Sequence, residues 1–279
     1  MKTLMQTAFL FFAFLFLSGT LSAYDEERQK TSGCEIIQYD PQLKILIGGG
    51  GNSIILTSRD KSSAIVMDTK KGDTSKEVKD NVDAENVTII NTHFHSDHTG
   101  GNDLFPGAKI ISGDYTKEQW AEGAKNSRYP DETIKPGGEK LIRLDDETVH
   151  IRNMGRAHTF NDMVAYFEKR KLLATGDLIF LHIHPVLYPQ SGAQVSSWIK
   201  VLDDLDKRYD VKTLVPGHGP VSDKTALLEM KDYFTSLSGA VGNPDKQAEL
   251  KEKYKDYYSL PGMTNFDNTL AYIENEKKQ

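Results

Sequence analysis

Asn91-Thr92-His93-Phe94-His95-Ser96-Asp97-His98-Thr99-Gly100-Gly101-Asn102 carries three histidines and an aspartate within six residues, directly after the apolar run Val87–Ile90. The run reads as a buried strand, so the four polar residues fall in a loop at a strand end. Imidazole and carboxylate are good ligands for zinc and similar divalent ions. In an extended segment His93 and His95 point to the same side, because side chains alternate with period two. Asp97 and His98 can then turn toward a second ion as the chain curls into a helix. One loop can thus contribute to two metals.

A two-metal site needs more ligands, and the chain offers them at other strand ends. Gly155-Arg156-Ala157-His158-Thr159 lies between strand candidates, Thr175-Gly176-Asp177 ends the strand Leu172–Ala174, and Pro216-Gly217-His218-Gly219-Pro220 follows the strand Lys212–Val215. Glycine beside each of these lets the backbone turn sharply toward a shared centre.

The surrounding pattern places these loops in a layered scaffold. Ile36–Tyr39, Leu43–Ile47, Ser53–Thr57 and Ser63–Asp68 are short β-prone runs punctuated by turn residues, which predicts an opening meander. The run Gly48-Gly49-Gly50-Gly51 lacks the helix-opening context of a nucleotide loop and reads as a tight turn or flap. Further strands are predicted at Lys109–Ser112, Thr148–Ile151 and Met163–Phe167, and helices at Gly72–Asn81, Ala193–Lys207 and after Asp223, which can cap the last. Leu250, Tyr254, Tyr257 and Tyr258 fit one amphipathic helix packed on the domain. His150 is expected to face solvent, the run Glu168–Lys171 to be a solvated hairpin turn, and Trp120 and Trp198 to pack on helices. Strands first, then strands mixed with helices, indicate a layered α/β architecture rather than a barrel.

The motifs HFHSDH, the isolated His158, TGD at 175–177 and PGHG at 216–219 resemble the successive motifs of the metallo-β-lactamase superfamily. Asp68, at the end of its strand, resembles the acid of the first motif, which supports the metal-bearing loop. The resemblance covers roughly residues 36 to 235. It implies a four-layer αββα sandwich with two zinc ions, or Mn2+ or Fe2+ in their place, at one edge between the sheets. His93, His95 and His158 would hold the first metal, Asp97, His98 and His218 the second, and Asp177 would bridge them. It further implies a hydrolase in which a metal-bound hydroxide attacks an ester, lactone, amide or thioester, with Asp97 orienting the nucleophile and carrying a proton to the leaving group.

Departures within the motifs narrow the branch. Flavin-linked diiron members carry glutamate where this chain has His95, and nucleases of the family need far more chain. Asp177 stands where β-lactamases commonly have cysteine or no bridging acid, and Cys34 lies outside the motifs. A β-lactamase and a mononuclear iron persulfide dioxygenase, which shares HxHxDH, are the rival readings. Phe180 stands where many acyl-homoserine lactonases carry a substrate-facing tyrosine. His182 and His184 share one side of an extended segment close after Asp177 and can line the substrate pocket.

The ends and the charge complete the picture. Lys2 precedes the apolar run Ala8–Leu17, and Leu21-Ser22-Ala23 leads to the acidic Tyr24-Asp25-Glu26-Glu27. Ten apolar residues are too few for a bilayer of about 30 Å. The layout predicts a signal peptide over residues 1–23, hence export to a periplasm or the medium and no stable membrane anchor. The remaining 24–279 reads as one domain with a C-terminal helical extension from about residue 236. The 34 basic and 40 acidic residues of the 279 give a net −6, against a nucleic-acid partner, while the small-molecule substrate is what the resemblance implies. One cysteine excludes an internal disulfide and a multi-thiolate zinc site; oligomeric state is left open.

Overall fold

The computed structural model describes residues 33–278 apart from Asn126 and Pro261, so the predicted signal segment lies outside the described residues. Seven strands form the first sheet in sequence order: β1 (Glu35–Gln38), β2 (Leu43–Ile47), β3 (Ser53–Thr57), β4 (Ser63–Met67), β5 (Asn86–Ile90), β6 (Lys109–Gly113) and β7 (Glu132–Ile134). The first four are antiparallel, and β4 through β7 run parallel. The second sheet has the order β12-β11-β10-β9-β8, from β8 (Glu139–Leu144), β9 (Glu147–Asn153), β10 (Met163–Phe167), β11 (Leu172–Phe180) and β12 (Thr213–His218). Only β11 and β12 pair in parallel there.

Period-two alternation explains why the layers form. Along β2, β3 and β4, Ile45, Ile54 and Ile65 face the second sheet and pack with its Val149, Ile151, Ala165 and Phe167. Their neighbours Leu46, Ile55 and Val66 face the other way and bury Val78 of α1 (Gly72–Asp80). On the outer face of the second sheet, Val164, Leu173 and Leu214 meet Trp198, Leu202 and Leu205 of α4 (Val195–Arg208) and Leu227 and Phe234 of α5 (Thr225–Ala240). The order is helix, sheet, sheet, helix, the four-layer sandwich expected. Strands buried on both faces read as continuous apolar runs, which is why β3, β4 and β11 were legible. Two further short helices, α2 (Ser96–Thr99) and α3 (Lys117–Ala124), lie near the strand ends of the first sheet.

Several sequence expectations need correction. The strands β7 and β8 were not anticipated; in β8 every second residue is exposed, including Leu141, as on an edge strand. The helix α6 (Pro244–Lys253) stops at Tyr254, so Tyr257 and Tyr258 lie beyond it, and a helix α7 (Phe266–Glu276) follows. Asp223 accepts from Thr225 N and Oγ1, but the residue before α5 is Lys224. Arg170 is not simply solvated: it pairs with Asp40 at 2.6 Å and with the buried Glu147 at 2.7 Å. Trp120 and Trp198 are buried on helices as expected, and His150 is half-buried between Glu139 and Glu168.

Candidate metal centre

The motif residues gather at one edge of the two sheets, in the loops after β5 and β9, at the end of β12, and at Asp177 within β11, which runs on to Phe180 rather than ending before Thr175 as expected. The loop carrying His93, His95, Asp97 and His98 leaves the end of β5 and turns into α2. Asp68, in left-handed backbone geometry at φ 57° just after β4, anchors that loop by accepting from Thr92 N at 2.8 Å and Thr92 Oγ1 at 2.7 Å. His158 sits in the loop from β9 to β10, whose shape is held by Asp162: its carboxylate accepts from Ala157 N and Thr159 N. Asp177 belongs to β11 and His218 ends β12. Gly51 and Gly217 are required for close approach: a Cβ there would stand 2.1 Å from the His98 ring and 2.1 Å from Asp177 Oδ1, respectively.

The seven predicted ligands come together in two groups. His93, His95, His158 and Asp177 form one, Asp97, His98 and His218 the other, each with its potential ligand atoms within 4.8 Å of one another. Asp177 faces both. Its Oδ2 lies 3.3 Å from His158 Nε2 and 3.7 Å from His93 Nε2, while its Oδ1 lies 3.0 Å from His98 Nε2 and 3.4 Å from His218 Nε2. Asp97 Oδ2 is 3.3 Å from His218 Nε2.

The outer ring nitrogens have partners that fix which nitrogen faces inward. His98 Nδ1 lies 2.7 Å from Asp68 Oδ2, His93 Nδ1 lies 3.1 Å from Thr92 Oγ1, and His95 Nε2 lies 3.1 Å from Ser191 Oγ. A proton on each outer nitrogen leaves an inward lone pair. His158 differs: its buried Nδ1 has no partner, and its ring packs against Trp198 and Phe180 instead.

The donor set fits a bound cation. His95 Nδ1 lies 3.0 Å from both His93 Nε2 and His158 Nε2, and one proton cannot serve both contacts. His98 Nε2 and Asp177 Oδ1, buried and facing each other, have no hydrogen-bond partner. Burial pushes His93 well below the ordinary imidazole range, helped by repulsion from His98, and takes His95 to about 4 and His158 to about 3, so all three stay neutral at pH 7. Burial also opposes charge on Asp97 and Asp177, yet the imidazoles of His98 and His218 hold both carboxyls well below their usual range. Against the same burial, Asp177 above all keeps His98 well above its ordinary value and His218 at about 9. Neutral imidazoles and ionised carboxylates are the ligand states divalent cations require.

A cleft of about 680 Å³ opens over this cluster, with His95, Asp97, Asp177 and His218 on its floor. Gly48, Gly49 and Gly50 form part of its rim. Two residues that the sequence reading missed secure that rim. Asn52 donates through Nδ2 to the carbonyls of Pro216 and Gly219 and accepts from Gly48 N, joining the glycine run to the His218 loop. Lys70 is fully buried and donates through Nζ to the carbonyls of Gly48 and Gly51, both at 2.6 Å. Nothing in Thr69-Lys70-Lys71 distinguishes the buried lysine from its exposed neighbour, so only tertiary structure finds it.

His182 and His184 do not line the cleft; Ile183 between them does, and both histidine rings pack against Tyr257 instead, with His182 in left-handed geometry at φ 57° rather than in the extended segment expected. His184 is buried with Nδ1 2.7 Å from Tyr233 Oη, and His182 pairs with Glu229 at 3.2 Å. Phe180 is buried and stacked on His218, so the aromatic residue on the cleft wall is Tyr188.

The model of the metallo-beta-lactamase superfamily matches residues 48–218. Among curated relatives, the metallo-beta-lactamase type 2 of Bacillus sp. (strain 170) is 30% identical over 147 residues, covering 52% of this chain and 56% of the relative. That of Bacillus cereus is 29% identical over 147 residues, covering 52% and 57%. The chain thus spans little more than half the length of these relatives. Among solved structures, a metallo-beta-lactamase from Pontibacter korlensis superposes with TM-score 0.62 at 22% identity, over 72% of this chain and 99% of that one. The stereoselective inverting sec-alkylsulfatase Pisa1 from Pseudomonas sp. gives TM-score 0.70 at 16% identity, over 87% of this chain and 50% of that one. At these identities the structural matches speak to the fold alone.

Proposed function

The chain belongs to the metallo-beta-lactamase superfamily, a group of metal-dependent hydrolases, and on that premise we propose that it is an exported dinuclear zinc hydrolase of small esters, lactones, amides or thioesters. One observation carries the two-ion reading: the carboxylate of Asp177 presents one oxygen to each histidine group. In this reading His93, His95 and His158 hold one ion, Asp97, His98 and His218 the other, and Asp177 is common to both. Zinc ions so held supply polarisation of the substrate oxygen and acidification of water. Export rests on the composition of residues 1–23. Among the described residues no helix is long and apolar enough to cross a membrane.

The chain's own residues do the positioning. Asp68 and Thr92 hold the rings of His98 and His93 with their lone pairs inward. Asp97 is ionised, half-buried and on the cleft floor, so its Oδ2 can accept a proton from the attacking water and return it to the leaving group. The glycine rim and Tyr188 border the space above. An Asp97→Asn protein that retained both ions and full turnover would remove Asp97 from this role.

The experiment is to count the metals of the mature protein as purified and to assay it against β-lactam, lactone, ester, thioester, phosphodiester and persulfide probes. About two zinc per chain with hydrolysis abolished by His95→Ala supports the reading. One iron per chain with persulfide oxidation overturns it. β-Lactam hydrolysis is the second reading, favoured by the 30% identity to a Bacillus metallo-beta-lactamase. Against it, Cys34 is the only cysteine, and its Sγ bonds the Gly48 carbonyl outside both ligand groups.

A further inference from the structure

The superfamily match ends at residue 218, but the cleft does not: Leu260 and Met263 return to its wall beside Ile183 and Val186. We propose that these four side chains form a specificity wall that seats an apolar acyl or alkyl group of the substrate. The inference rests on the hydrolytic reading and names its substrate class: esters, lactones or thioesters of apolar chains.

The wall is built, not incidental. Tyr258 N donates to His182 O at 2.9 Å and His184 N donates to Tyr258 O at 2.9 Å, adding the C-terminal segment as a parallel bridge to the stretch that follows β11. Both histidines of that stretch face away and leave Ile183 toward the cleft. Beneath the bridge, Tyr257 stacks on Tyr233 with rings 9° from parallel, and Tyr233 Oη meets His184 Nδ1. The turn that carries Leu260 and Met263 closes on itself, Met263 N and Thr264 N both donating to Leu260 O. After it, α7 is pinned to α4: Glu276 accepts from Val195 N and Ser196 N, and Tyr272 Oη donates to Ala193 O.

An apolar surface held this firmly beside a polar metal floor has a chemical reading. Met263 is 50% exposed, while Ile183 and Val186 show only 3% and 8% of their surface, so the wall offers a half-open strip rather than a sealed core. Covering it needs a chain that is apolar along its length and ends at a reactive carbonyl over His95 and Asp97. Each methylene that leaves water for such a strip strengthens binding by up to about fourfold. A polar substituent on the same strip would lose its hydration with little in return, since none of the four side chains has a donor and the Met263 thioether is only a weak acceptor.

The test uses zinc-loaded mature protein, p-nitrophenyl acetate, butyrate and hexanoate, and calorimetric binding of the matching straight-chain carboxylates. For the wild type, kcat/KM normalised to the hydroxide-catalysed rate rises about two- to fourfold per methylene, and carboxylate affinity rises in parallel. In Met263→Asp, and separately in Leu260→Asp, the hexanoate-to-acetate ratio falls to within about twofold of unity. Both residues lie on a turn outside the sheets, so the pair guards against one variant misfolding. A wild type indifferent to chain length in both measurements, or variants that keep the full ratio, overturns the proposal. Chain-length-dependent binding of carboxylates without ester turnover leaves the wall standing and removes the hydrolytic reading instead.

Discussion

Asp68 Oδ2 lies 2.7 Å from His98 Nδ1, and both groups are sealed from solvent. The carboxylate also accepts from Thr92, so one side chain sets the tautomer of His98 and the path of the loop that bears four proposed ligands. Partners of this kind typically change metal affinity by roughly 10–100-fold when removed. Asp68→Asn, which keeps the size and an acceptor for Thr92 N, is expected to weaken one zinc per chain by that factor. Chelator competition reads the loss, and two sites of unchanged affinity would contradict it.

Gly51→Ala acts on the same ring from the other side. The added Cβ would stand 2.1 Å from His98, deep inside contact distance, so ring or loop must move. The expected outcome is loss of zinc from the group of Asp97, His98 and His218 while the group of His93, His95 and His158 still binds. Cobalt substitution followed by absorption spectroscopy distinguishes the two groups; full occupancy of both in the variant would be the contrary result.

Lys70→Met tests the clasp beneath the glycine rim. Burial lowers the lysine to about 8, and its removal relieves that cost, but it strands the buried Gly51 carbonyl and leaves the Gly48 carbonyl with only the Cys34 thiol, both carbonyls now accepting from Lys70 at 2.6 Å. An unsatisfied buried acceptor costs about 1–3 kcal/mol. The orphaned Gly51 carbonyl outweighs the relief, so unfolding in urea is expected at a lower midpoint, by an amount worth about 1–3 kcal/mol. A midpoint equal to or above that of the wild type would show that the lysine is dispensable.

His184 predicts an acid-side dependence of stability. Burial lowers it from 6.5 to about 4, because the neutral ring is enclosed by Tyr233, Tyr257 and Phe266. Between those pH values the unfolded chain takes up a proton that the folded chain refuses. The contribution is therefore fully present above pH 6.5 and lost progressively as pH falls toward 4. With chelator present to keep both proteins free of metal, the unfolding free energies of wild type and His184→Gln should converge as pH drops through that window. Parallel curves would assign the acid sensitivity elsewhere.

Six of the proposed ligands were legible because they sit beside a glycine or within a dense polar motif near an apolar strand, and His158 because it follows Gly155 in a loop between two strands. The layered fold was legible for the same reason: runs such as Ile54–Leu56 and Leu172–Ala174 are apolar on both faces. What could not be read is long-range. Lys70 and Lys71 look alike in sequence, yet one is buried under a loop twenty residues earlier and the other is exposed. His182 and His184 share a side as expected, but which side meets the cleft depends on the bridge to Tyr258. The tyrosine stripe after Leu250 keeps its packing role while leaving the helix, because Tyr257 and Tyr258 are drawn into that bridge.

The two ligand groups draw on both sheets. His93 and His95 leave β5 of the first, His158 and Asp177 come from the second, and the other group repeats the split between Asp97–His98 and His218. Each ion, once bound, is a rivet through the two leaves of the sandwich rather than an ornament at its rim. Ligand binding that exists only in the folded state adds RT ln(1 + [L]/Kd), about 2.7 kcal/mol at a hundredfold excess over Kd. On the proposed two-ion reading, scarcity of metal would show first as leaves that part more easily, with protease cutting at the crevice edge before any change in secondary structure, and mineral supply and mechanical integrity would be one variable.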